Sequence, residues 1–172
     1  MPACDADNIG LEKSEGMIEK IARNKYPETA RLMQVSGVGT LIATSFVLTV
    51  EDPTRFGKSR DVGCYVGLRP KRKDSGEKQP ELSITKEGDA HLRRMLVQGA
   101  HHILSHRGPD SDLKRLGLKL AGQGKKNAKK RAVVAVARTL AVLLHRLWMT
   151  GEKYEPLRTA NREAARQAAR AA

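Results

Sequence analysis

The sequence predicts an all-α, mainly helical protein, and three features lead there. Hydrophobic residues make up 40% of the 172 residues but aromatics only 3%, so the core has to be assembled from Leu, Val, Ile, Met and Ala. Two stretches read as helices: Leu92 to Ile103, with its apolar positions on one face, and Ala128 to Trp148, apolar on almost every face in its later part. Only the short stretch Leu82-Ser83-Ile84-Thr85 alternates as an extended segment does.

Taken in order, residues 1–10 lack periodicity and read as a frayed start. Leu11 to Ala22, with Ile18 and Ile21 at helical spacing, predicts a short amphipathic helix weakened by Gly16. Pro27 opens the next helical segment, with Ala30, Leu32 and Met33 on its apolar side. Val35-Ser36-Gly37-Val38-Gly39-Thr40 then leads into Leu41 to Leu48, read as a helix packed on most of its surface. Two glycines separated by one apolar residue permit a tight turn whose N–H groups face outward at a helix start, a geometry that holds a phosphate. The arrangement resembles the helix-hairpin-helix motif, which grips nucleic-acid backbone without reading bases. A glycine pair of this kind also serves as a plain packing turn.

Glu51-Asp52-Pro53 ends that helix, because the residue before Pro is pushed out of helical geometry, and Asp52 and Asp61 read as caps. Arg55, Lys58 and Arg60 either extend a cationic surface or belong to a solvated loop. Val62 to Leu68 docks on the core as a short helix or an extended piece, with Cys64 as a small buried filler.

An irregular basic loop follows, in which Lys71, Arg72, Lys73 and Lys78 surround the pair Ser75-Gly76. By itself Asp74-Ser75-Gly76-Glu77 is an ordinary turn. After the extended connector, Gly88-Asp89 stops the extension, and Asp89 can accept the free N–H groups of the next helix. Along that helix Leu92, Met95, Leu96, Gly99, Ala100 and Ile103 share one face, while Arg93, Arg94 and Gln98 lie off it. A cationic loop beside a helix with a basic outer face suits a polyanion.

Ser105 to Asp112 is a loop by its breakers, and Leu113, Leu116, Leu118 and Leu120 predict a short helix before Gly122-Gln123-Gly124. The longest helix, Ala128 to Trp148, is apolar on almost every face except at Arg138 and Arg146, and Gly151 stops it. Its first turn carries Lys129, Lys130 and Arg131 against the helix dipole. Leu140, Leu143, Leu144 and Leu147 are core or a dimer seam. Residues 158–172, Ala- and Arg-rich, read as a disordered tail that becomes helical only against a partner.

Lys plus Arg total 32 against 19 Asp plus Glu, a formal charge of +13. Nucleic acid is the partner class this points to. A membrane surface would prefer aromatic anchors, and the chain has one Trp and two Phe. The most apolar run, Ala132 to Leu144, is interrupted by Arg138 and shorter than the ~20 residues of a bilayer span. No secretory signal is read at the start, and Cys4 and Cys64 form no CxxC pair, so a soluble cytoplasmic protein is expected. His91, His101, His102 and His106 lack the carboxylate or thiol spacing of a metal site, so no metal ligands and no cofactor are expected within this chain.

The ordered series SGVG, EDPTRF, a VGLRP turn, the Ser-Gly loop, ITKEGDAHLRRMLVQGAHHIL, and AKKRAVVAVARTLAVLLHRLW with GEKYEPL after it resembles the C-terminal half of a group of bacterial insertion-sequence transposases. These are the enzymes related to the pilin-gene invertase, and the resemblance runs from about Met33 to Leu157. It implies a helical domain, here 25–157, with a helix-hairpin-helix element, preceded by a connector remnant at 1–24. It implies that Ser75, with Gly76 giving the turn, attacks a DNA phosphodiester and holds the strand covalently. Gly37, Gly39 and Thr40 become the hairpin that grips backbone, and Lys86, Arg93 and Arg94 match basic positions beside the helix start. Lys71, Arg72, Lys73 and Lys78 can stabilise charge building on the phosphoryl oxygens.

The resemblance also implies DNA as partner, a guide RNA joining donor and target, and homo-oligomers. It implies a separate carboxylate domain holding divalent metal (Mg), whose spacing Asp74, Glu77 and Asp89 do not reproduce. The chain is accordingly expected to lack strand transfer alone. Two departures stand out: that absent spacing, and Ser36 where the family usually has proline. Rival readings are a non-enzymatic helix-hairpin-helix DNA- or RNA-binding module and a ribosome-type RNA-binding protein.

Overall fold

The computed structural model describes residues 14, 16–71, 83–124 and 127–171. Residues 16–25 are helical and are termed α1. There follow α2 (Thr29–Leu32), α3 (Thr40–Val50), a 3₁₀ turn (Pro53–Arg55), α4 (Ser59–Tyr65), α5 (Ala90–Leu104), α6 (Asp112–Ala121), α7 (Ala128–Thr150) and α8 (Arg158–Ala171). Among the described residues the one extended pairing is an antiparallel bridge between Pro70 and Ile84. The architecture is therefore all-α, as composition and spacing predict.

The core is organised around α7, which touches α2, α4, α5, α6 and the 3₁₀ turn. Val136, Leu140, Leu144 and Leu147 are fully buried along it and Leu143 is half-buried against the same cluster, so this leucine series packs on the core. By length and composition α7 could cross a membrane, yet here four other helices and the 3₁₀ turn pack on it. Small residues let the neighbours approach. A β-carbon on Gly63 of α4 would lie 2.9 Å from Arg138 Cγ, so the arginine stem that interrupts the apolar run lies over a glycine. Gly117 of α6 likewise leaves room for Leu104 and Val136.

Helix ends follow local chemistry. Asp89 accepts from the Leu92 N–H at the start of α5, and Ser111 accepts from the Lys114 N–H at the start of α6. Asp52 accepts from the Thr54 N–H at 2.8 Å, whereas Asp61 lies inside the first turn of α4 and caps nothing. Gly151, in left-handed geometry at φ 68°, closes α7 by donating to the Leu147 carbonyl.

Several expectations are corrected. In α1, Ala22 is buried and Ile21 is exposed, so the apolar face is narrower than its spacing suggests. In α3, Ile42, Phe46, Val47 and Val50 face the core, where α2 and α5 pack and Trp148 of α7 meets Phe46, while Leu41 and Leu48 face solvent. Cys64 is half-buried. The tail read as disordered is helical, with its first turn tied down. The Thr159 N–H donates to Asp112 Oδ2 at 2.6 Å, and Arg158 pairs with Glu152 at 2.6 Å. Beyond that turn, residues 161–169 are exposed.

Candidate nucleic-acid interface

The segment after α4 turns back along itself before entering α5. Gly67 and Gly88 both adopt positive φ, 73° and 80°. A β-carbon on Gly67 would overlap the Glu87 carbonyl, and one on Gly88 would overlap the Tyr65 carbonyl. Only glycine permits this double approach. Three backbone hydrogen bonds extend the pairing outward: Lys86 N–H to Gly67 O at 3.1 Å, Thr85 N–H to Arg69 O at 2.8 Å, and Lys71 N–H to Ser83 O at 2.9 Å. Lys71 and Ser83 are thus held side by side in a pinned neck against the start of α5.

The basic candidates near this neck differ in what they do. Arg93 is half-buried, and its Nη1 donates to the Val66 carbonyl at 3.0 Å and the Glu87 carbonyl at 3.2 Å. Its guanidinium therefore ties both sides of the neck together, so the sequence view of it as a backbone-binding cation is incomplete. Arg94, one position on, is exposed and has no hydrogen-bond or ion-pair partner among the described residues. Lys71 and Lys86 are exposed, Lys86 at φ 61°. Arg72, Lys73, Ser75, Gly76 and Lys78 lie outside the described residues.

The two glycines before α3 also separate. Gly37, at φ 84°, faces α5, and a β-carbon there would lie 2.8 Å from the Gly99 carbonyl oxygen. Gly39 is the N-cap of α3, exposed, with open space where a β-carbon would go. Neither N–H donates a hydrogen bond among the described residues. Gly37 thus carries the packing role and Gly39 the open helix start, where Thr40 begins α3 with its hydroxyl 3.9 Å from Met33 Sδ. Ser36 supplies no cap, because Gly39 takes that position.

Sequence reasoning missed His145. It is buried on α7 at 1% exposure. The Pro53 carbonyl can only accept, so His145 Nε2–H donates to it at 2.8 Å, and Nδ1 accepts from the Ser59 hydroxyl at 2.9 Å. Phe56 meets the ring edge-on at 5.5 Å. Arg55 stacks beside it on Phe56 and Tyr65, at 5.7 and 5.4 Å. This cluster fastens the 3₁₀ turn and α4 to α7. A histidine within an otherwise apolar helical run was the available signal. His91, His101, His102 and His106 are all exposed, and His91 Nε2 lies 3.4 Å from Ser45 Oγ.

Residues 29–114, half of the chain, match the family described as Transposase IS116/IS110/IS902 family. The transposase for insertion sequence element IS1111A of Coxiella burnetii (strain RSA 493 / Nine Mile phase I) is 35% identical over 124 residues, which is 72% of this chain and 34% of that protein. The transposase for insertion sequence element IS1328 of Yersinia enterocolitica is 40% identical over 74 residues, 42% of this chain and 22% of that protein. The chain spans about a third or less of the length of these relatives.

Proposed function

Because the chain belongs to the IS116/IS110/IS902 transposase family, we propose that it is the serine-bearing, DNA-binding portion of an insertion-sequence recombinase. In this reading residues 25–157 form the working domain, and Ser75 is the nucleophile. Its Oγ gives up its proton and bonds to a backbone phosphorus while the opposite P–O bond breaks, and one proton is returned to the departing strand oxygen, so the step is balanced by a net transfer from Oγ to that oxygen. The resulting phosphoserine ester conserves the bond energy for rejoining. The observation that carries the reading is the pinned neck: the loop that bears Ser75 is rooted, through Lys71 and Ser83, beside the exposed cation Arg94 on α5.

Further parts of the reading extend the resemblance. The enzyme belongs to the class related to the pilin-gene invertase, works in the cytoplasm as a homo-oligomer, and uses a guide RNA to join donor and target DNA. Gly39, Thr40, Lys71, Lys86 and Arg94 contact phosphates, joined by Arg72, Lys73, Gly76 and Lys78 of the loop, while Gly37 shapes the turn. A divalent metal is part of the implied chemistry. Among the described residues no three His, Cys, Asp or Glu side chains gather closely enough to hold one, so these residues do not fit that group. Strand transfer accordingly depends on a carboxylate domain outside these residues.

The test compares the wild-type chain with Ser75→Ala, each supplied with the carboxylate domain of a full-length relative and DNA bearing element ends. Equal DNA binding, with a covalent protein–DNA product from the wild type alone, is the expected result. Covalent product retained in Ser75→Ala would remove the serine from its role. The competing reading, a non-enzymatic hairpin module for DNA or RNA, is favoured by the unpaired Gly39 N–H; it forms no covalent product in either protein.

A further inference from the structure

On α5, Arg94, Gln98 and His101 are exposed at four- and three-residue spacing, so they form one stripe along the helix. With Ile84, Arg93 and Val97 they line an open groove of about 320 Å³ where α5 faces the returning segment of the neck. Ile84 and Val97 are half-buried and give it an apolar floor. Arg93, held by two carbonyls, is a fixed wall. Among the described residues Arg94 on the rim has no partner, and no carboxylate lines the groove.

We propose that this groove seats one unpaired nucleotide of a DNA strand, with its base over Ile84 and Val97, its edge read by Gln98 and His101, and its phosphate on Arg94. A paired base hides its face in the stack, whereas an unpaired one offers a flat apolar face that needs cover. Gln98 supplies a donor and an acceptor side by side, and His101 a ring for stacking or a hydrogen bond. The described lining carries two arginines and no acid, which suits a polyanion. Ile84 follows Ser83, the partner of Lys71, so a strand held here runs past the root of the Ser75 loop. The proposal rests on reading this face as the DNA side, and it names what that face holds.

The test measures fluorescence anisotropy of labelled oligonucleotides with the full chain and with the double variant Gln98→Ala/His101→Ala. Both positions are exposed, so the melting temperature is expected to stay unchanged. The proposal requires single-stranded DNA to bind about tenfold more weakly to the variant, with duplex DNA affinity kept. A second variant, Val97→Asp, which puts negative charge on the floor, is expected to show the same selective loss. Equal losses on duplex and single strand would overturn the groove, as would no loss, or tighter binding of an RNA of the same sequence by the wild type. Failure of the wild type to bind any nucleic acid would overturn the DNA reading as well, so the two failures are distinguishable.

Discussion

Gly37 and Gly99 face each other with no side chain between them: a β-carbon on either would lie 2.8 Å from the carbonyl oxygen of the other. The turn before α3 and the middle of α5 thus meet backbone to backbone, with Ile42 and Leu140 closing around Gly99. Substituting alanine forces backbone apart, since no flexible side chain is there to yield. Gly37→Ala adds the strain of a positive φ and should cost about 2–4 kcal/mol. Gly39→Ala, with open space and φ −88°, should change stability by less than about 1 kcal/mol. Thermal or urea denaturation of the pair checks the contrast.

His145→Ala should be among the most damaging single changes on α7. It opens a cavity in the core and leaves the Pro53 carbonyl and Ser59 hydroxyl without their partner. A loss of about 3–5 kcal/mol is expected, against about 1 kcal/mol for Ser59→Ala, which removes one bond. Equal losses in denaturant titrations would contradict this division.

Two adjacent arginines should separate stability from binding. Arg93→Ala removes the tie between the Val66 and Glu87 carbonyls and should destabilise by about 1–3 kcal/mol. Arg94→Ala should leave stability within about 0.5 kcal/mol of wild type while lowering the salt dependence of duplex DNA binding by about one ion. Melting curves together with affinities over a range of salt concentrations measure both.

Acid should loosen the start of α8. The Arg158 guanidinium, by its hydrogen bond first and its charge second, holds the Glu152 carboxyl below its ordinary value of 4.5. A folded value below the unfolded one means that the unfolded chain takes the proton first, so this contribution is present above pH 4.5 and fades as pH falls below it. The pair is exposed, so the effect is small and salt-sensitive. Hydrogen exchange of the α8 amides should differ between wild type and Glu152→Gln above pH 4.5, and the difference should close in acid.

What the sequence displayed clearly was the work of side-chain pattern. The buried face of α5 is Leu92, Leu96, Gly99, Ala100 and Ile103 with Met95 half-buried beside them, close to what its spacing implies, and Asp89 caps it as its position before the apolar run suggests. What stayed hidden depends on tertiary neighbours. Nothing local distinguishes Arg93, spent on two carbonyls 27 and 6 residues away, from the unengaged Arg94 beside it. Gly37 and Gly39 look equivalent until α5 lies against one of them. His145 finds partners 86 and 92 residues earlier in the chain. The helical tail was missed because its hold comes from Asp112 and Glu152, outside the Ala- and Arg-rich stretch itself.

The neck from Tyr65 to Gly88 is closed mainly by main-chain groups and by glycines, with Arg93 bracing it from below. None of these described ties uses a side chain of the span they enclose. Lengthening a loop whose ends are already fastened costs little entropy. Evolution, or a protein engineer, can rewrite residues 72–82, and with them the chemistry they offer, while the helical body keeps its fold.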